Sequence, residues 1–371
     1  MSVTSSHASA SADRPGPVGP SGDLIYPRLL IIRLSSYGDI IQAAGVPAAF
    51  KANYPGAEVD WLVRSDFVGL FDAQPNVGRV IAFDRKQGFG GLLKQAWMLA
   101  RAGYTHVYDA HNNLRSRLIG AVFLFASLLY SQSRRPPPKF IRRSKQRLRR
   151  WAYFRLRWKV LPTPYRGAES YHRPLARWGL PATVPAGPQL RAKTFLPPDV
   201  EREIAGLARP WVVLAPSAAW EMKRWPIEHW QKLMLGLGNT SFLLVGGKDD
   251  TFIESLAKPL GSRAVNLAGR LSLAETTALI QKSDLVIAND TGSLHVADQL
   301  ERPTIALIGP TAFGYPSHAT SATLEIDLPC KPCSKDGRGK CINDLYKRCL
   351  VEVTPERVAA KARELLSGAR K

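Results

Sequence analysis

The chain has 371 residues, of which 45% are hydrophobic and 22% charged. That is enough for two domains each with its own core, and it excludes a disordered or fibrous class for the bulk. The formal net charge of +21 calls for an anionic partner or surface.

Residues 1–27 are expected to form a disordered tail. Met1 to Gly22 is rich in Ser, Ala, Pro and Gly and has no apolar segment of the kind a signal peptide carries, so the expected location is cytoplasmic. A first domain, expected over 28–180, begins with the apolar strand Arg28 to Arg33. It runs directly into Leu34-Ser35-Ser36-Tyr37-Gly38-Asp39-Ile40. Strand, Ser/Gly turn and amphipathic helix form the first unit of a doubly wound α/β domain, whose ligands sit at that end of the sheet. Further strands are predicted at Val59 to Val63, Arg79 to Phe83 and His106 to Asp109, with a helix over Gly91 to Ala102. The last of these strands ends in the polar cluster Asp109 to Arg117. Asn113 and Arg115 are site candidates there, with turn and cap roles as the alternative.

The 13-residue apolar run Leu118 to Tyr130 is too short for a membrane span, which needs about 20 residues, and reads as a buried helix. A basic insertion follows over 131–160. No acidic residue lies between Asp109 and Glu169, whereas Arg134 to Lys159 holds twelve Lys and Arg interleaved with Phe140, Trp151, Tyr153, Phe154 and Trp158. Cations mixed with aromatics describe an interfacial segment on anionic lipid, an RNA-binding arm, or a solvated hairpin, and the first is the preferred reading. The same charge could instead meet acceptor phosphates.

Prolines at 181, 185, 188, 197 and 198 mark a linker over 181–198. A second α/β domain is expected over 199–353. Its first strand, Trp211 to Pro216, leads into a polar turn from Ser217 that carries Lys223, with Pro226 opening a helix. A strand at Ser241 to Val245 precedes Gly246-Gly247, where a ligand could approach closely, and Asp249 offers a carboxylate for ribose hydroxyls. The buried strands Leu285 to Ala288 and Thr304 to Ile308 flank Asn289-Asp290-Thr291-Gly292-Ser293-Leu294-His295. This turn caps a helix whose free N–H groups and positive dipole end suit a diphosphate, with His295 one turn further on. Cys330, Cys333, Cys341 and Cys349 share the spacing C-x2-C-x7-C-x7-C, which reads as a structural zinc site or as free thiols. A C-terminal helix over 354–371 closes the chain.

Taken together, Leu34 to Asp39, Asp109 to Arg115, Lys223-Arg224-Trp225-Pro226, Gly246-Gly247 and Asn289 to Gly292 with His295 resemble the ADP-heptose:lipopolysaccharide heptosyltransferases, glycosyltransferase family nine, from Arg28 to Leu366. The resemblance implies an α/β fold of two Rossmann-like domains facing across a cleft, the GT-B architecture. It also implies inverting, metal-independent transfer from a nucleotide sugar, ADP-heptose, to a lipopolysaccharide or related glycolipid acceptor at the cytoplasmic face of the inner membrane. No cofactor and no specific nucleic acid is implied. Asp39 falls on the proposed catalytic base. Lys223, Asp290, Thr291, Gly292 and His295 fall on the nucleotide-diphosphate site; Ser217 and Asp249 are further donor-side candidates, and Ser35, Ser36, Gly38, Asn113 and Arg115 are the acceptor-side candidates. Gln42 stands where the family often has His, and Ser293 where Pro is common. A nucleotide-dependent oxidoreductase is the rival reading, but no Gly-x-Gly-x-x-Gly follows the first strand. A non-enzymatic membrane- or RNA-binding protein would account for the charge but not for Asp39 and Asp290 at matching sheet edges.

Overall fold

The computed structural model describes residues 26–129 and 136–368. Two parallel sheets organise it. The first comprises β1 (Arg28–Ile32), β2 (Glu58–Arg64), β3 (Arg79–Phe83), β4 (His106–Asp109) and β5 (Lys139–Arg142), in the order β3-β2-β1-β4-β5. The second comprises β6 (Trp211–Ala215), β7 (Ser241–Leu244), β8 (Ala264–Asn266), β9 (Leu285–Asn289), β10 (Thr304–Leu307) and β11 (Ser321–Leu324), in the order β11-β10-β9-β6-β7-β8. Apolar side chains on consecutive positions make β9 and β10 fully buried, as strands covered on both faces require.

Strand order reverses between β1 and β4 in the first sheet and between β6 and β9 in the second. At such a point the neighbouring connections leave in opposite directions and open a crevice at the carboxyl edge. The turns after β1 and β9 carry Asp39 and Asp290, so the topology brings both carboxylates to crevices.

The two lobes meet where the Tyr37–Gln42 helix abuts the Gly292–Gln299 helix. Glycine permits this approach: a Cβ at Gly292 would lie 2.0 Å from the Tyr37 ring, and one at Gly38 would lie 3.0 Å from His295. One cluster of buried apolar side chains is continuous across both lobes, from Ile31 and Tyr108 to Val213 and Val286.

Two expectations change. The basic stretch is not a free insertion, because Lys139–Arg142 adds a parallel edge strand to β4 and the following residues strap the first lobe to the second. Phe154 and Tyr165 pack edge-on against Phe313 at 5.8 and 4.9 Å, and Arg150 lies 4.2 Å over the same ring. Arg157 donates to the carbonyls of Cys330 and Pro332. The Leu114–Leu129 helix is only half buried. Ser116, Ile119, Phe123 and Ala126 face inward, while Leu124, Phe125, Leu128 and Leu129 face solvent. Among the described residues, no helix is long and apolar enough to cross a membrane.

Candidate active site

On the first lobe, Asp39 sits in the opening turn of the Tyr37–Gln42 helix. Its Oδ2 accepts from Ser36 Oγ at 2.8 Å and stands 2.5 Å from Arg33 Nη2, and its Oδ1 accepts from the Tyr171 hydroxyl at 2.8 Å. Burial pushes the carboxyl pKa up, but the charges of Arg33 and Arg143, with the Ser36 and Tyr171 hydrogen bonds, hold it well below the usual carboxylate range. Asp39 is therefore ionised, and its side chain remains 37% exposed toward the cleft. Arg143 supports this arrangement from behind. It stacks 3.8 Å over the Tyr171 ring and donates to Ser170 Oγ at 2.6 Å.

On the second lobe, buried Asn289 ties the strand ends to the loop that carries Lys223. Its Oδ1 accepts from Trp225 N at 3.1 Å and its Nδ2 donates to the Pro216 carbonyl at 2.7 Å, so the loop is anchored at both ends. Lys223 Nζ lies 2.9 Å from Asp290 Oδ2, which also accepts from Thr311 Oγ1 at 2.6 Å. Burial raises the Asp290 pKa, and Lys223 with its neighbours more than offsets it, leaving the group ionised. The Thr291 hydroxyl is buried and makes no hydrogen bond to the described residues.

His295 is buried where the two lobes meet. Burial drives its pKa down despite nearby Asp290 and Asp298, so the ring is neutral. An amide nitrogen can only donate, so the 2.7 Å contact has Gln42 Nε2 donating across the lobe boundary to His295 Nε2.

Both sets of residues line one cavity of about 880 Å³. Arg33, Arg143, Lys145, Arg150, Lys223, Lys248 and Lys335 outnumber Asp39, Asp250, Asp290 and Asp336 around it, a balance suited to anionic ligands. Of the residues singled out in the sequence, the cavity brings together Ser36, Gly38, Asp39, Ser217, Lys223, Asp290, Thr291, Gly292 and His295. Ser35, Asn113, Arg115 and Asp249 do not line it. Asn113 caps its own helix, exchanging hydrogen bonds with Ser116. The rest of that polar cluster closes on itself: Asp109 accepts from the His111 and Asn112 amides and from Arg142. Asp250 lines the cavity instead of Asp249, its Oδ2 accepting from Gly247 N at 2.8 Å. Arg33, Arg143 and Tyr171 were not singled out. Arg33 was visible as the polar end of an apolar strand, whereas nothing local marks Tyr171.

The zinc site considered for Cys330, Cys333, Cys341 and Cys349 is not assembled. Among the described residues no group of three or more Cys, His, Asp or Glu is placed to hold a metal. Cys330 and Cys341 sulfurs accept hydrogen bonds from Asn343 and the Lys347 amide. Burial raises the Cys333 thiol and takes that of Cys349 to about 11, which keeps both protonated.

Two solved structures share this fold. Escherichia coli ADP-heptose lipopolysaccharide heptosyltransferase II superposes with a TM-score of 0.66 at 20% identity, over 93% of this chain and 100% of that one. Escherichia coli heptosyltransferase WaaC with ADP-2-deoxy-2-fluoro heptose gives 0.61 at 20% identity, over 91% and 99%. Two Rossmann-like lobes facing across a cleft between their carboxyl edges give the chain the GT-B architecture. The family model for glycosyltransferase family 9 (heptosyltransferase) matches residues 182–346, and lipooligosaccharide heptosyltransferase 2 of Haemophilus influenzae is 26% identical over 91% of this chain and 99% of its own. Over residues 182–346 the chain is similar to glycosyltransferase family 9.

Proposed function

We propose that the protein moves a heptose-type sugar from ADP-heptose to a lipopolysaccharide core or related glycolipid acceptor, by a single displacement that inverts the anomeric centre. The observation that carries this reading is that Asp39 from one lobe and the Lys223–Asp290 pair from the other face the same cavity. That similar proteins are lipooligosaccharide heptosyltransferase 2 and a heptosyltransferase with ADP-2-deoxy-2-fluoro heptose supports the sugar and the acceptor class.

Asp39 takes the proton of the acceptor hydroxyl. A carboxylate stabilised by Arg33 and Tyr171 is a weak base, so the proton moves late, once bonding to the anomeric carbon has made the hydroxyl acidic. Negative charge grows meanwhile on the departing diphosphate. Lys223, the amino end of the Gly292–Gln299 helix and the Thr291 hydroxyl meet it there, and neutral His295 offers polarity without charge. Arg143, Lys145 and Arg150 line the acceptor half and suit an acidic acceptor. A lipid-anchored acceptor is met at the cytoplasmic face of the inner membrane, where the exposed part of 131–160, including Leu148, Trp151 and Trp158, would contact anionic lipid.

The test is Asp39→Asn. Calorimetry should find ADP-heptose binding nearly unchanged while transfer slows at least about 10²-fold. Unchanged turnover would remove Asp39 from the role of base.

A further inference from the structure

The Leu114–Leu129 helix presents solvent with an apolar face that the transfer reaction does not use. Leu124 and Leu128 are each 66% exposed, Phe125 and Leu129 each 56%, and Met98 of the adjoining Gly88–Arg101 helix 57%. A helix on a water-covered surface ordinarily places polar residues on that side. Single exposed apolar side chains are commonplace, but a contiguous set marks a contact surface. Between the two helices lies a slot of about 530 Å³, lined by Leu93, Lys94, Trp97, Ala121, Val122 and Phe125. Its one ionisable group is a cation.

Charge identifies the occupant. Exposed Arg115 stands on the same helix, Lys94 stands on its neighbour, and no acidic residue occurs from Ala110 to Ala168. Apolar side chains bordered by cations complement a bilayer with anionic headgroups. A second copy of the chain would bring the same cations into opposition.

We propose that this face is the membrane-docking surface, with the Leu114–Leu129 helix lying in the interface and Leu124, Phe125 and Leu128 among the acyl chains. The inference rests on the membrane part of the function proposed above, and it moves the apolar contact from 131–160 to this helix. The cleft then stays clear for a headgroup sugar.

Flotation of the full chain with vesicles of phosphatidylcholine, alone or mixed with phosphatidylglycerol, tests it. The unaltered protein should float with the anionic vesicles. The combined variant Leu124→Glu, Phe125→Glu, Leu128→Glu should partition at least about tenfold less, and Leu148→Glu with Trp151→Glu should lose less. These positions are exposed, so melting temperature and transfer to a water-soluble acceptor should not change. If the unaltered chain does not float, the membrane reading itself fails. If it floats and the combined variant floats equally well, only the placement on this helix fails. A free protein that is oligomeric by light scattering, and monomeric as the combined variant, would assign the face to a second copy and overturn the proposal.

Discussion

Replacing Gly292 with alanine puts the contact between the lobes under direct strain. The added methyl would lie 2.0, 2.3 and 2.9 Å from Tyr37 Cδ1, Cε1 and Cγ, separations that Cβ atoms essentially never show. Because Cγ is at the root of the ring, turning the ring in its own plane or flipping it does not clear the methyl. Tyr37 must change rotamer, or the Tyr37–Gln42 and Gly292–Gln299 helices must part by roughly an ångström. Overpacking of this kind costs about 1–3 kcal/mol, and at roughly 2–4 °C per kcal/mol for a chain of this size the melting temperature should fall by about 2–12 °C. Catalysis should suffer more than stability. Asp39 is two residues from Tyr37 and His295 three from Gly292, so the displacement reaches both halves of the site, and a misplacement near 1 Å can cost about 10²-fold in rate. Gly236→Ala is the control. It lies at the end of the Ile227–Gly236 helix with nothing within 4 Å of the added methyl, and should change stability by no more than about 1 kcal/mol. Calorimetric melting and kcat on both variants decide the matter. A Gly292→Ala protein that matches the parent in both would refute the described packing of the two helices.

On the proposed donor contact, removing the Lys223 amine takes a charge-assisted partner from the diphosphate and leaves Asp290 uncompensated, so Lys223→Ala should raise the calorimetric Kd for ADP-heptose by about 10- to 100-fold. An unaltered Kd would place Lys223 outside the donor site. Tyr171→Phe deletes the donor to Asp39 Oδ1 and keeps Arg33 and Ser36 in place. The Asp39 carboxyl pKa should therefore rise, the acid limb of the kcat/KM profile should move to higher pH, and donor affinity should hold; an unmoved limb refutes the assignment. Burial, with nearby cations, lowers His106 and His111 from the ordinary 6.5 to about 4. The unfolded chain then binds more protons than the folded one between those values, so stability is full above about pH 6.5 and declines as pH falls toward 4. Urea midpoints should drop from pH 7 to pH 5, less steeply for His111→Asn, and a flat series in the parent would contradict the burial.

The legible parts of the site were those that a strand and its following turn define together. Asp39, Lys223 and the Asp290 turn each follow a run of apolar residues, and parallel topology sends such turns to one edge. What was not legible depended on partners distant in sequence. Tyr171 reaches Asp39 from 132 positions away, and Arg143 acts on Asp39 through its charge while stacking on Tyr171. Polarity alone also misled. The groups from Asp109 to Arg117 mostly satisfy one another, and no periodicity told which of the adjacent Asp249 and Asp250 turns inward. In the basic stretch, aromatic residues read as lipid-facing include Phe154, which is spent on Phe313 instead. The unbroken apolar run from Leu118 carried no period, so it could not reveal that only one side of its helix is covered.

The hydrogen bond from Gln42 to His295 lies where the two lobes butt together, at the innermost part of the cleft. A rotation of the lobes about this junction would move the points beside it least. Asp39 and the Asp290 turn flank it, so under such a rotation the proposed base and the proposed diphosphate seat would stay almost in register while the mouth widens.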